Sequence, residues 1–176
     1  VGLTAPTLEA PIDHTPPEAP TDLVLNPGGS QLSGRGEPGT TVNVRDTQGE
    51  VIGTGVVAAD GSFTVDLEPA VIDGSTLQVD LTDAAGNVSE PVAVQTPDLT
   101  APAQPTDLAV ADGVTLTGSG EPGATVQVRD ATGAVIGSGT VDANGQFSVE
   151  LSPAQANGEI IDVQLIDAAG NSSAPL

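Results

Sequence analysis

Phe63, Val65 and Leu67 alternate with Thr64 and Asp66, and Leu77, Val79 and Leu81 alternate with Gln78 and Asp80. Successive side chains leave an extended backbone on opposite sides, so a period of two with one polar face marks a half-buried strand. The same pattern along the first half of the chain predicts strands at Thr21–Leu25, Gln31–Gly34, Thr41–Asp46, Val51–Val57, Ser62–Leu67, Thr76–Thr82 and Val88–Gln95. Between them lie turn-forming residues: Asn26-Pro27-Gly28-Gly29, Glu37-Pro38-Gly39, Gln48-Gly49, Asp60-Gly61, Asp73-Gly74 and Asp83–Asn87. No window carries a helical period, and Glu68–Asp73 leaves room for one short turn. Seven short strands at regular spacing predict an antiparallel β-sandwich.

The pattern then repeats. Asp83-Ala84-Ala85-Gly86-Asn87 returns unchanged as Asp167-Ala168-Ala169-Gly170-Asn171, at an offset of 84 residues. Pro20-Thr21-Asp22-Leu23 matches Pro105-Thr106-Asp107-Leu108, and Gly36-Glu37-Pro38-Gly39 matches Gly120-Glu121-Pro122-Gly123. The offset slips by one residue near Asn26–Gly29, where a surface loop tolerates an insertion. Two tandem copies of one domain follow, at 13–97 and 98–176. Residues 1–12 align with the end of a copy and read as the last strand of a preceding repeat, or as linker. The second copy reads as lacking its own last strand. Both ends suggest an excerpt from a longer array, in which the N-terminal strand would dock on the open edge of another molecule's second copy.

Composition narrows the core and the chemistry. Phe63 and Phe147 are the only residues of the Phe, Tyr and Trp class, so each core is built from Val, Leu, Ile and Ala around one aromatic. With 24 Asp and Glu against three Arg and no Lys, the net charge is −21. Such a chain repels nucleic acid and anionic membrane surfaces and attracts cations. No segment is apolar enough to span a membrane, and none has the form of a signal peptide. Without Cys there is no disulfide, thiolate metal site or thiol redox chemistry. Without Lys there is no Lys–Asn isopeptide bond. Catalysis has little to stand on. His14, the one histidine, lies in a linker and reads as solvated. Acid pairs can cleave glycosides, but a sugar cleft needs aromatic platforms that this chain lacks.

The string DLTAPAQPTDLAV, then GSGEPGATVQVRDATGAVIGSGTVDANGQFSVELSPAQANGE, then DAAGNSSAP resembles the bacterial Ig-like repeats of giant type I-secreted, biofilm-associated surface adhesins. Both copies carry it over nearly their whole length. The antibody hallmarks, an inter-sheet disulfide and a core Trp, are absent. The resemblance implies two immunoglobulin-like sandwiches in an extracellular, non-enzymatic rod on a bacterial cell surface, serving adhesion and biofilm formation. Its partners would be neighbouring repeats, and calcium often lies at the domain junctions.

Strand order says where such an ion would bind. Alternate connections of a sandwich fall at opposite ends. The end where the first strand begins gathers the linker, the Glu-Pro-Gly turn and the Asp-Ala-Ala-Gly-Asn turn. Asp13, Glu37 and Asp83 are thereby expected to converge in copy one, and Asp98, Glu121 and Asp167 in copy two, with Asn87 and Asn171 offering side-chain oxygens. Ca²⁺ takes six to eight oxygens in a flexible shell, whereas Mg²⁺ demands stricter octahedral geometry and Zn²⁺ wants His or Cys. Asp46 or Asp73 would join from the neighbouring copy. Asp60-Gly61 and Asp142–Gly145 read as hairpin turns, and Arg45 and Arg129 as partners of nearby acids. Three functions remain: a spacer stiffened by calcium, a ligand-binding adhesion module, or a metal-free acidic spacer of a salt-loving organism.

Overall fold

In the computed structural model, which describes residues 13–155 and 158–176, the alternating segments are strands and the Gly- and Pro-rich segments are turns. The chain divides between Pro97 and Asp98 into two compact units. Unit one carries β1 (Thr21–Leu25), β2 (Gln31–Arg35), β3 (Thr41–Arg45), β4 (Val51–Val56), β5 (Ser62–Asp66), β6 (Thr76–Thr82) and β7 (Val92–Gln95). Unit two carries β8 (Thr106–Ala111), β9 (Thr115–Ser119), β10 (Thr125–Asp130), β11 (Val135–Thr140), β12 (Gln146–Glu150) and β13 (Ile161–Ile166). Every pairing is antiparallel. The sheets run β1-β2-β5 and β4-β3-β6-β7 in unit one, and β12-β9-β8 and β11-β10-β13 in unit two. Among the described residues there is no helix, so the turn foreseen at Glu68–Asp73 stays irregular.

The expected strands of copy one lie within one residue of those observed, except the last, which starts at Val92 and not Val88. Val88 makes an isolated bridge to Thr82, and then Ser89 breaks the ladder. Its hydroxyl accepts the Leu81 N–H at 2.9 Å and donates to the Glu90 carbonyl at 3.1 Å. Pro91 has no N–H to give, so regular pairing resumes one residue later. Ser173 repeats this, accepting from Leu165 at 3.0 Å and donating to Ala174 at 3.0 Å. Beyond that break Leu176 exchanges two hydrogen bonds of 3.1 Å with Val163, as Val92 pairs with Val79 in unit one. The N-terminal strand expected from residues 1–12 lies outside the described residues.

The alternating positions of β3, β5 and β6 close one apolar core, and those of β10, β12 and β13 close the other. Each ring has a socket made by a missing side chain. A Cβ on Gly34 would lie 2.5 Å from Phe63 Cζ and 2.7 Å from Leu23 Cδ2, and Gly118 stands in the same relation to Phe147 and Leu108.

One position departs from its pattern. Asp80 sits on the outward face of β6 yet is only 5% exposed. Central strand β6 has β3 on one side and β7 on the other, and long side chains of β3 cover its outer face. Arg45 Nε donates to Asp80 at 3.1 Å and Asn43 Nδ2 at 2.7 Å. In copy two the matching residues are Gln127 and Gln164, so Arg129 has no such acid. It donates to Gln127 Oε1 at 2.6 Å and to the Gly133 carbonyl at 2.8 Å. The acid partner expected for both arginines is therefore found for Arg45 alone.

Removing one member of a buried pair strands the other charge. Arg45→Ala is expected to destabilise unit one by roughly 2–4 kcal/mol, less than for a fully buried pair because Arg45 is partly exposed. Arg129→Ala should change unit two by less than about 1 kcal/mol. Urea denaturation of both variants measures the contrast; equal losses would mean that the Asp80 pair contributes nothing special.

Candidate functional site

The connections do gather at opposite ends of each unit. In unit one the Glu37–Gly39 turn is fixed by Thr40, whose N–H and buried hydroxyl both donate to the Glu37 carbonyl, at 3.2 and 2.7 Å. The Asp83–Asn87 turn lies across a hollow of about 690 Å³ lined by Asp13, Glu37, Pro38, Asp83 and Ala84, among others. Asp13, Glu37 and Asp83, the three acids expected at this end, thus border one hollow.

The side-chain oxygens of Asp83, and one of Asp13, are however turned toward their own loops. Asp83 Oδ1 accepts the N–H groups of Ala85 at 2.8 Å and Asn87 at 2.9 Å, while Oδ2 accepts the Asn87 side-chain amide at 2.8 Å. Gly86 permits the fold-back with φ of +88°. The Asn87 amide nitrogen also donates to the Asp13 carbonyl at 3.2 Å, and Asp13 Oδ1 accepts the Thr15 N–H at 2.9 Å. Unit two repeats the arrangement. Asp167 Oδ1 accepts Asn171 N–H at 2.8 Å, Oδ2 accepts the Asn171 amide at 2.8 Å, and that amide reaches the Asp98 carbonyl at 3.2 Å. Glu121 stands in the matching turn, its carbonyl accepting the Ala124 N–H at 3.1 Å. Among the described residues no three acidic or histidine side chains stand close enough together to hold a metal ion. As arranged, the oxygens of Asp83 and Asp167 are held as hydrogen-bond acceptors within their own turns.

The turn aspartates are tuned by these bonds. The amides of Asn87 and Asn171 are the largest cause holding Asp83 and Asp167 below the ordinary carboxylate range, with backbone N–H groups adding to them. The Ser62 hydroxyl does the same for Asp60, and the Thr132 hydroxyl for Asp130. A carboxylate whose folded pKa is depressed stabilises the fold above its unfolded pKa, about 3.9 for Asp. That stabilisation is lost as pH falls through the lower folded value. The stability difference between the native chain and Asp167→Ala should therefore be full at pH 7 and shrink below about pH 4. Denaturant midpoints for unit two at pH 7, 4 and 2.5 test this, and a gap that persists at the lowest pH would count against it.

Other acids serve separate turns. Asp46 accepts the N–H groups of Gln48 and Glu50, both at 2.9 Å, and Asp73 accepts that of Ser75 at 3.1 Å, around another hollow of unit one. Asp60 and Asp142 lie in the hairpin turns expected of them, with Gly61 N–H donating to Ala58 and Gly145 N–H to Asp142. His14 is exposed. Sequence reasoning passed over Ser89 and Ser173, both buried, although the repeated Ser-x-Pro after each acidic turn was a signal.

Residues 16–98 and again 101–176 match the family described as bacterial Ig domain. No curated protein matches the chain. Among solved structures, the BSP domain of a biofilm-associated protein aligns over 91% of this chain and 28% of its own, at 22% identity and a TM-score of 0.37. The chain thus spans less than a third of that structure's length. Two fibronectin type-III domains of chicken tenascin align over 89% of this chain and 95% of theirs, at 19% identity and a TM-score of 0.40. The ligand-binding domain of human OSCAR aligns over 92% and 99%, at 12% identity and a TM-score of 0.42.

Proposed function

Since the chain belongs to the bacterial Ig domain family, twice over, we propose that it is a non-enzymatic spacer segment of an extracellular bacterial surface adhesin. The observation that carries this reading is the repetition itself. Both units have the same glycine socket, the same serine break and the same hydrogen bonds in the acidic turn. A spacer gains from copying one sound domain, whereas a ligand-binding module would need loops that differ from their neighbour's. The described surface also offers no aromatic platform and no basic patch for a sugar or polyanion. Saturable binding of the intact two-unit chain to glycans or extracellular matrix proteins would overturn the spacer assignment.

Stiffening by calcium is the finer part of the proposal. It is supported by the hollow shared by Asp13, Glu37 and Asp83 and by the charge of −21. The engagement of both Asp83 oxygens within their own turn favours the metal-free acidic spacer instead. Thermal unfolding at fixed ionic strength in EDTA, millimolar Mg²⁺ and millimolar Ca²⁺ separates them. A rise specific to Ca²⁺, lost in Asp98→Ala and Asp167→Ala, is the outcome expected with an ion. Three equal curves would leave the acidic surface to general salt screening.

A further inference from the structure

We infer that the asparagine of each acidic turn is a latch that fastens the entering chain to the head of its own domain, acting as a hydrogen-bond donor and not as an oxygen ligand. The amide of Asn171 has two N–H bonds, and both are used. One meets Asp167 Oδ2 at 2.8 Å and the other the Asp98 carbonyl at 3.2 Å, which lies 73 residues earlier in the chain. Asn87 does the same with Asp83 Oδ2 at 2.8 Å and the Asp13 carbonyl at 3.2 Å.

Which end of an amide points inward is set by its partners. Here both partners are acceptors, one of them charged, so turning the amide over would set its oxygen against two other oxygens. The carboxylate has a second task in this reading. By folding the turn with Oδ1 and holding the amide with Oδ2, it aims the remaining N–H at the incoming backbone. The five-residue motif is then a single device: the aspartate shapes and orients, the glycine permits the reversal, and the asparagine grips. In unit one the far end of the same domain is fastened too, since Gly74 N–H donates to the Pro97 carbonyl at 3.2 Å. Pro97 and Asp98 are consecutive, and each is bonded to its own unit. The inference rests on bonds within each unit and does not depend on the adhesin reading.

Asn171→Asp separates donor from ligand, because it keeps the shape, removes the donors and supplies a better metal ligand. A latch predicts that Asn171→Asp and Asn171→Ala both lower the unfolding midpoint of unit two in EDTA, by on the order of 5–10 °C for a hydrogen bond to a charged group in a domain of this size. Millimolar Ca²⁺ should not restore it. Ala168→Asp, which adds the same charge at an exposed place in the same turn, should shift the midpoint far less. In the native chain the two side-chain amide protons of Asn171 should exchange with solvent at least about tenfold more slowly than those of exposed Gln48, as measured by NMR. Exchange as fast as Gln48, an unchanged midpoint in Asn171→Asp, or a calcium-dependent gain in that variant would each overturn the latch.

Discussion

Phe147→Ala is expected to destabilise unit two by about 3–5 kcal/mol, and Phe63→Ala to do the same to unit one. The ring is the sole aromatic of each core, and it is buried to 5% exposure in unit two and 4% in unit one. It also fills the socket that Gly118 or Gly34 leaves open, so no neighbouring side chain is shaped to close the void. A small domain has only about 5–15 kcal/mol of stability in all, so the loss should leave the affected unit largely unfolded on mild heating. Each core is separate, and the other unit should keep its own transition. Calorimetry of the two single variants and the double variant provides the check. A loss below about 1 kcal/mol would mean that the aliphatic residues close the core without the ring.

Gly29→Ala should be at least as damaging, through the backbone and not the core. Gly29 has φ of +62°, and its carbonyl accepts the Val71 N–H at 2.9 Å. A Cβ there would fall 2.0 Å from the Val71 carbonyl oxygen and 2.7 Å from its carbon, both of them backbone atoms. Neither can rotate away, so the loop joining β1 to β2 must part from the segment after β5. A loss of roughly 3 kcal/mol or more is expected, above the 1–2 kcal/mol of left-handed strain alone. Gly39 is the control. It has φ of +87° with nothing within 4 Å of its hypothetical Cβ, so Gly39→Ala should show the strain alone. Similar losses for the two variants would show that the clash relaxes freely.

Much of this architecture could be read from the residues, and the part that could not has physical reasons. Alternation located β5 and β6 because a strand with one wet face must alternate. It misjudged Asp80, since period two cannot tell an exposed outer face from one roofed by Arg45 and Asn43. It ran β7 too early because Val88 is a good strand residue, while the break depends on where the Ser89 hydroxyl turns. At the candidate site, chain topology was enough to place Asp13, Glu37 and Asp83 around one hollow. The direction of each oxygen was beyond it. A carboxylate beside a glycine can face outward to an ion or inward to its own amides, and only the hydrogen bonds of Asp83 and Asp167 distinguish the two. For Asn87 and Asn171, the amide nitrogen faces the Asp13 and Asp98 carbonyls.

The single buried ring in each core also has a spectroscopic meaning. With no Trp and no Tyr, absorption in the near ultraviolet comes from Phe63 and Phe147 alone. Both chromophores sit against the same glycine and leucine neighbours: each ring's Cζ is 2.5 Å, and the leucine Cδ2 2.7 Å, from the hypothetical Cβ of Gly34 or Gly118. Their circular dichroism bands should nearly superimpose, so the native spectrum counts folded units while Phe63→Leu leaves a signal that belongs to unit two alone. The protein thus carries one intrinsic optical probe per domain, with no dye or label to attach.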